Sequence, residues 1–249
     1  MPNTITAQAV ANPDLVPHGL PADPARELRE TLRRRPVRAA KRALDITVSA
    51  VLLVALAPVL MALALLVRLD SPGPSFFRCD RVGYRGRPLR MVKFRKMFCG
   101  ATGAPLTRAG DERFTRLGPW LAKYKLDELP QLWHVLRGEM SLVGPRPESP
   151  DFATRYPDDY YRILSVKPGM VGLSQIAFAE ETRVLDPDEP VDHYLDVLLP
   201  QKIRLDTMYA AGLSIWLDVR ILFWTFVTVV LRKPVAVHRE SGLMNIRRR

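Results

Sequence analysis

The chain has 249 residues, with 37 Lys and Arg against 26 Asp and Glu, a net charge of +11 and 47% hydrophobic residues. That balance excludes a disordered chain and a polytopic membrane protein, and it leaves room for one or two domains with a real core. Two cysteines, Cys79 and Cys99, exclude a disulfide framework and a CxxC zinc site, and the four histidines are scattered.

Residues 1–25, rich in Pro, Ala and Asn, read as a mobile leader that runs into a basic stretch, so 1–40 is taken as one N-terminal unit. Residues 26–42 carry a net +6 and residues 78–96 a net +7. Between these blocks lies 46–67, ITVSAVLLVALAPVLMALALLV, 22 residues without a charge. As a helix it would reach roughly 33 Å, enough for a bilayer core of about 30 Å. Pro58, in the middle of the run, removes a helix hydrogen bond and predicts a bend at Ala57-Pro58. Both flanks are basic, so the positive-inside rule gives no orientation for a span. The sequence therefore favours a re-entrant membrane helix over 41–70 that returns to the face it entered, with both basic blocks against anionic headgroups. A spanning helix is the alternative.

Ser71-Pro72-Gly73-Pro74 breaks the chain, and strands are expected over Phe76–Val82 and Leu89–Met97 around the turn Gly83-Tyr84-Arg85-Gly86. Lys93 and Arg95, two apart, should share a face and are candidates for holding phosphate. Farther on, Leu129, Leu132, Trp133 and Leu136 follow the spacing of an amphipathic helix, with Asp127 as N-cap, Pro130 in the first turn and Gly138 after the last. Asp127 and Glu128 would then lie at the positive end of the helix, where carboxylates are favoured and phosphate is attracted. Capping alone would also explain both residues. Gly144, Pro145 and Pro147 stiffen the turn that carries Arg146, a bidentate anion clamp in outline. Residues 151–206 are acidic, with eleven Asp and Glu against six Lys and Arg. The apolar stretch Ile221–Leu231 is too short to span; it reads as an interfacial helix or a core helix, and 233–249 as a basic tail.

A basic pocket, a carboxylate pair and a membrane segment together point to phosphate chemistry on a lipid, with a hard cation, Mg²⁺, beside the carboxylates. The fold class expected is α+β: a small membrane-associated domain with a Pro-broken re-entrant N-terminal helix, a short β-hairpin and amphipathic interfacial helices, its catalytic part covering 71–232.

The succession SPGPSFF, RVGYRGRP, KFRKM, LDELPQLWHVLRGEMSLVGPRP, KPGMVGLSQ and a late LDxxY resembles the bacterial sugar transferase family, the monotopic phosphoglycosyl transferases, over about Lys41 to Leu231. The resemblance implies transfer of a sugar-1-phosphate from a UDP-sugar to polyprenyl (undecaprenyl) phosphate, with release of UMP, as the first membrane step of exopolysaccharide, O-antigen or glycoconjugate assembly. By the same resemblance Asp127 is the nucleophile and a Mg²⁺ ligand. Glu128 completes the dyad as acid/base or positioning group. Lys93, Arg146 and Asp206 match substrate-site positions, Arg95 joins them as a substrate contact only through the face it shares with Lys93, and Pro58 breaks the membrane helix. It further implies residence at the cytoplasmic face of the bacterial inner membrane and leaves room for a homo-oligomer; a nucleic-acid partner is discounted because the basic blocks bracket an apolar segment and no recognition motif is present. The chain departs from the family at Ala57, where Ser is common; at Ala122, where Arg is usual and Lys123 or Lys125 would substitute; and at Ile176–Thr182, which lacks the usual Gly-Arg-Asn. The chain also lacks the multi-span N-terminal region of larger members, which makes it a compact form. The competing reading is a catalytically inactive membrane assembly factor of the same fold.

Overall fold

The computed structural model describes residues 24–103, 106–107, 110–186 and 189–247, with the backbone alone at 24–34, 182 and 183. The expected leader therefore falls, over 1–23, outside the described residues.

Helix α1 (Pro24–Ala55) and helix α2 (Ala57–Asp70) meet at Leu56 with a 63° bend. The bend has the cause the sequence names: Pro58 sits at the start of α2, where its missing N–H is tolerated, and cannot bond the carbonyl of Val54. Among the described residues no single helix is long and apolar enough to cross a membrane; the bent pair passes that test only as a pair. Its outer surface is apolar, with Val51, Val54, Met61, Leu65 and Leu69 exposed.

The basic block before the bend does not all face outward. Lys41 Nζ donates to Val143 O at 2.8 Å and to Asp218 Oδ2 at 2.6 Å. The Arg42 guanidinium donates to the carbonyls of Val135 and Leu136. Asp45 accepts from Ser141 Oγ and Leu142 N. These bonds clamp α1 onto the middle of the domain. The expectation that this block lies against headgroups thus fails for Lys41 and Arg42, because buried carbonyls and a buried carboxylate claim them first.

Strands β1 (Phe76–Val82) and β2 (Pro88–Phe94) form an antiparallel hairpin with Phe76 opposite Phe94 and Val82 opposite Pro88. The second strand stops short of the expected Met97, which instead bridges to Phe114. Helix α3 (Gly118–Lys123) and a 3₁₀ turn (Leu126–Gln131) lead into helix α4 (Leu132–Arg137), which Gly138 ends in the left-handed conformation.

Strand β3 (Ser141–Val143) pairs in parallel with β4 (Gly169–Val171). Short helices α5 (Pro150–Ala153) and α6 (Pro157–Ile163) connect them. Helices α7 (Leu173–Ala177), α8 (Glu181–Val184) and α9 (Pro190–His193) then lead through a π turn (Tyr194–Leu198) to α10 (Leu199–Ala211). Helix α11 (Ile215–Val229) follows, capped by the Ser214 hydroxyl.

The last described segment, expected as a tail, folds as a hairpin of β5 (Val235–Val237) and β6 (Met244–Ile246), and buries Val235 and Met244. The core gathers Met91, Leu132, Val135, Met140, Val143, Leu173, Leu205, Tyr209 and Ile221, from nearly every element. The architecture is mixed helix and strand, as expected for α+β. Ile221 and Val227 of α11 face the core while Phe223 and Phe226 face out.

Candidate active site

The dyad occupies the 3₁₀ turn rather than the N-cap of a helix. Lys125 enters it at φ 56°, a left-handed conformation, and Pro130 within the turn has no N–H to extend a helix ladder. The expected single amphipathic helix is thus split at Leu132. Of its four apolar positions, Leu132 is buried while Trp133 is 53% exposed.

Asp127 is 2% exposed, and its Oδ2 lies 3.2 Å from Lys96 Nζ. Glu128 Oε1 receives two cations, Lys93 Nζ at 2.9 Å and Arg146 Nη2 at 2.8 Å. Burial would push the Glu128 carboxyl up, but Arg146, Lys93 and Lys125 outweigh it and hold the group well below the usual carboxylate range. Burial is also the main influence on Lys93, lowering its ammonium despite Glu128. The Glu128 charge raises Arg146 further. Glu128 therefore stands ionised beside Asp127, and the pair is in contact with three cations. An incoming phosphate could take over those cations, so the cluster suits exchange of one anion for another.

Each cation is placed by local structure. Lys93 is on β2, whose outer edge is braced by His134: Val92 N–H donates to His134 Nε2 at 3.1 Å. That bond fixes the tautomer, with Nδ1–H donating to Glu139 Oε2. Arg146 follows a tight crossing of backbones. Gly144 N–H donates to Val171 O, and Gly169 N–H donates to Pro145 O. A Cβ on either Gly144 or Gly169 would run into the other segment's backbone, so the loop can sit this close only with glycine at both positions.

Asp206 on α10 is buried close to Arg146 and Lys202, and its Oδ1 has no hydrogen-bond partner. Burial raises it from 3.8 to about 7, against the opposing influence of Ser174 and Lys202. Nearby, Tyr194 donates to Glu148 Oε2 at 2.6 Å, and Lys202 pairs with Glu181 from the departing segment Ile176–Thr182.

The structure brings Asp127, Glu128, Lys93 and Arg146 together. Asp206 borders Arg146, and Pro58 lies at the helix break. Arg95 is elsewhere. The strand ends at Phe94, so the alternation that would put Arg95 beside Lys93 no longer applies. The buried Arg95 guanidinium donates instead to the carbonyls of Val67, Ser71 and Pro72. Of the lysines expected to cover for Ala122, Lys123 leans on the Tyr124 ring at 5.7 Å, whereas Lys125 contributes its charge at Glu128. The cation paired with Asp127 is Lys96, which sequence reasoning missed although it closes the same KFRK run. His134 was also missed; its signal was an uncommon polar residue on the inward face of an otherwise apolar helix.

Among the described residues no three or more His, Cys, Asp or Glu side chains cluster as a metal site. A divalent ion here would have Asp127 as its principal protein ligand. Mg²⁺ is commonly held in this way, by one or two carboxylates and substrate phosphates, so the donor set fits it.

The family profile described as bacterial sugar transferase matches residues 36–232. The chain is 40% identical over 195 residues to a UDP-glucose:undecaprenyl-phosphate glucose-1-phosphate transferase of Caulobacter vibrioides, covering 74% of this chain and 67% of the relative. It is 39% identical over 207 residues to an undecaprenyl-phosphate glucose phosphotransferase of Komagataeibacter xylinus, covering 78% of this chain but 37% of the relative. It is 36% identical over 201 residues to the exopolysaccharide production protein PSS of Rhizobium leguminosarum bv. phaseoli, covering 77% and 96%. The chain thus spans well under half the length of some curated relatives and nearly the whole of another. The profile spans the dyad, its cations and the bend between α1 and α2, and the chain belongs to the bacterial sugar transferase family.

Proposed function

We propose that the protein is a phosphoglycosyl transferase that moves a sugar-1-phosphate from a UDP-sugar to undecaprenyl phosphate. The observation that carries this reading is the buried Asp127-Glu128 pair in contact with Lys93, Lys96 and Arg146. In the first step an Asp127 carboxylate oxygen attacks the phosphorus that bears the sugar. A new P–O bond forms, the bond to the bridging oxygen breaks, and UMP departs with that electron pair. In the second step an oxygen of the lipid phosphate attacks the same phosphorus, and Asp127 leaves as a carboxylate. The product is a lipid diphospho-sugar, and both half-reactions conserve charge and atoms. Covalent catalysis of this kind gives ping-pong kinetics.

Glu128, ionised and doubly paired, serves as a positioning group: it holds Lys93 and Arg146 where the donor diphosphate arrives. Lys96 beside Asp127 compensates charge as the phosphorus is attacked. Asp127 with the donor phosphates would hold Mg²⁺, which when bound neutralises diphosphate charge. Asp206 borders the Arg146 side of the site.

The bent α1–α2 pair and the outward aromatic residues of α11 support a re-entrant attachment to the cytoplasmic leaflet of the inner membrane. The relatives' names support a role at the start of polysaccharide assembly. The test is UMP release by the full chain with Mg²⁺, undecaprenyl phosphate and a panel of UDP-sugars. UMP from at least one donor, dependent on acceptor for turnover, is expected. Release of UDP, or silence across the panel, would overturn the reading.

A further inference from the structure

The hairpin face opposite Lys93 is apolar and open. The register pairs Phe76 with Phe94 and Arg78 with Val92, and strand alternation puts these four on one side while Lys93 projects from the other. The Phe76 and Phe94 rings stack with centroids 5.2 Å apart. Across from them stand Leu53 of α1 and Leu60 of α2, one on each side of the bend, and Pro130 and Trp133 close the end. Together they line a pocket of about 270 Å³. In a straight helix Leu53 and Leu60, seven residues apart, would lie along one stripe. The 63° bend makes that stripe a concave wall.

Phe76 and Trp133 are large apolar side chains left 45% and 53% exposed here, which is costly in water unless something covers them. Arg78 stands exposed at the rim with no carboxylate partner among the described residues. Pro130, in the pocket wall, lies two residues beyond Glu128 in the turn that carries the dyad, while Val92 precedes Lys93 on the strand and points to the opposite face.

We propose that this groove seats the acceptor lipid. The isoprenoid units nearest the phosphate lie against Leu53, Leu60, Phe76 and Trp133, and Arg78 meets the phosphate on its way to Asp127. The inference rests on the transferase reading above and adds the acceptor's place. An apolar lining rejects the nucleotide sugar, whose ribose, sugar and diphosphate would go unpaired there. A single cation at one end of an apolar channel matches a lipid with one phosphate headgroup. The groove is continuous with the exposed apolar surface of α1 and α2, so a chain entering from the lipid phase reaches it without crossing water. Sharing the dyad turn favours the acceptor over a bulk phospholipid, which would have no reason to lie beside the reacting carboxylate.

Ping-pong chemistry separates the test into halves. Leu60→Trp fills the groove and Trp133→Ala removes one wall. With a UDP-sugar and no acceptor, both variants are expected to give the same UMP burst as the unaltered protein. With a short-chain polyprenyl phosphate, KM for the acceptor is expected to rise about tenfold, while KM for the UDP-sugar stays put. Calorimetric titration of the full chain with the short-chain polyprenyl phosphate reads the groove without turnover and should weaken by the same factor.

Unchanged acceptor KM and affinity in both variants would overturn the proposal. So would a burst that falls in step with turnover, since the groove would then only support the dyad. An effect confined to membrane-embedded long-chain acceptor would assign the groove to bulk phospholipid instead. A protein that never releases UMP but whose lipid-phosphate affinity drops in Leu60→Trp would retain the groove while the transferase reading fails.

Discussion

The two basic blocks look alike in the sequence and have different work in the fold. In the first, Lys41 and Arg42 are spent on acceptors that never leave: Asp218, Val143 O, Val135 O and Leu136 O. In the second, Lys93 and Lys96 rest on Glu128 and Asp127, carboxylates that the proposed chemistry needs for itself. The difference lies in the partner. A cation paired with a backbone carbonyl or a structural carboxylate stabilises the domain; a cation paired with a reacting carboxylate is available to substrate. Charge counts cannot separate the cases, because the two stretches contribute almost the same charge, +6 and +7, to a pI near 10.

The comparison breaks most readily at Lys41. Removing one member of a buried pair strands the other, at about 3–5 kcal/mol. Lys41→Met should therefore lower stability by about that much in denaturant melts, with the double variant Lys41→Met/Asp218→Leu recovering a substantial part. If the single variant melts like the unaltered protein, the anchoring role is wrong.

Asp206 sharpens the contrast as a buried carboxylate with an unpartnered oxygen. Its carboxyl is raised from 3.8 to about 7, so the folded state holds a proton that the unfolded state has released over that range. Stability contributed by this group is present below about pH 4 and is lost as pH rises through about 7. Asp206→Asn removes the dependence. Its melting temperature should overtake that of the unaltered protein as pH rises from 4 to 8, the gap corresponding to at most about 4 kcal/mol. A gap that narrows with rising pH would contradict the assignment.

Lys93 carries the smallest expected energy and the clearest functional sign. Lys93→Met leaves Glu128 still paired with Arg146, so the fold should survive. UMP release should fall on the order of 100-fold through loss of charge compensation. The opposite pattern, with Lys41→Met impairing catalysis per folded molecule and Lys93→Met only stability, would reverse the comparison.

How far the sequence carries is clear from particular residues. The hairpin is legible because alternation and a Gly-bounded turn are local signals, and the break near Pro58 because a missing N–H is a local fact. Asp127 and Glu128 are legible through their motif, but their setting is not. Leucine spacing predicts one helix, whereas the left-handed Lys125 and the interior Pro130 tighten the segment into a 3₁₀ turn first. Arg95 fails for a related reason. Two-residue alternation places it beside Lys93 only while the strand lasts, and three carbonyls at the end of α2 outcompete the site once it stops. Lys96 and His134 escaped because their roles depend on which segments meet, and pairings between distant segments leave no periodicity to read.

The central claim is that Asp127 carries the sugar phosphate between two substrates. Intact-mass measurement after mixing the protein with its UDP-sugar and Mg²⁺, acceptor withheld, tests it most directly. The account predicts a mass increase of one phospho-sugar, localised by peptide mapping to Asp127, chased off by undecaprenyl phosphate and absent in Asp127→Asn. Full turnover with no adduct at any time, or an adduct that persists in Asp127→Asn, would contradict it.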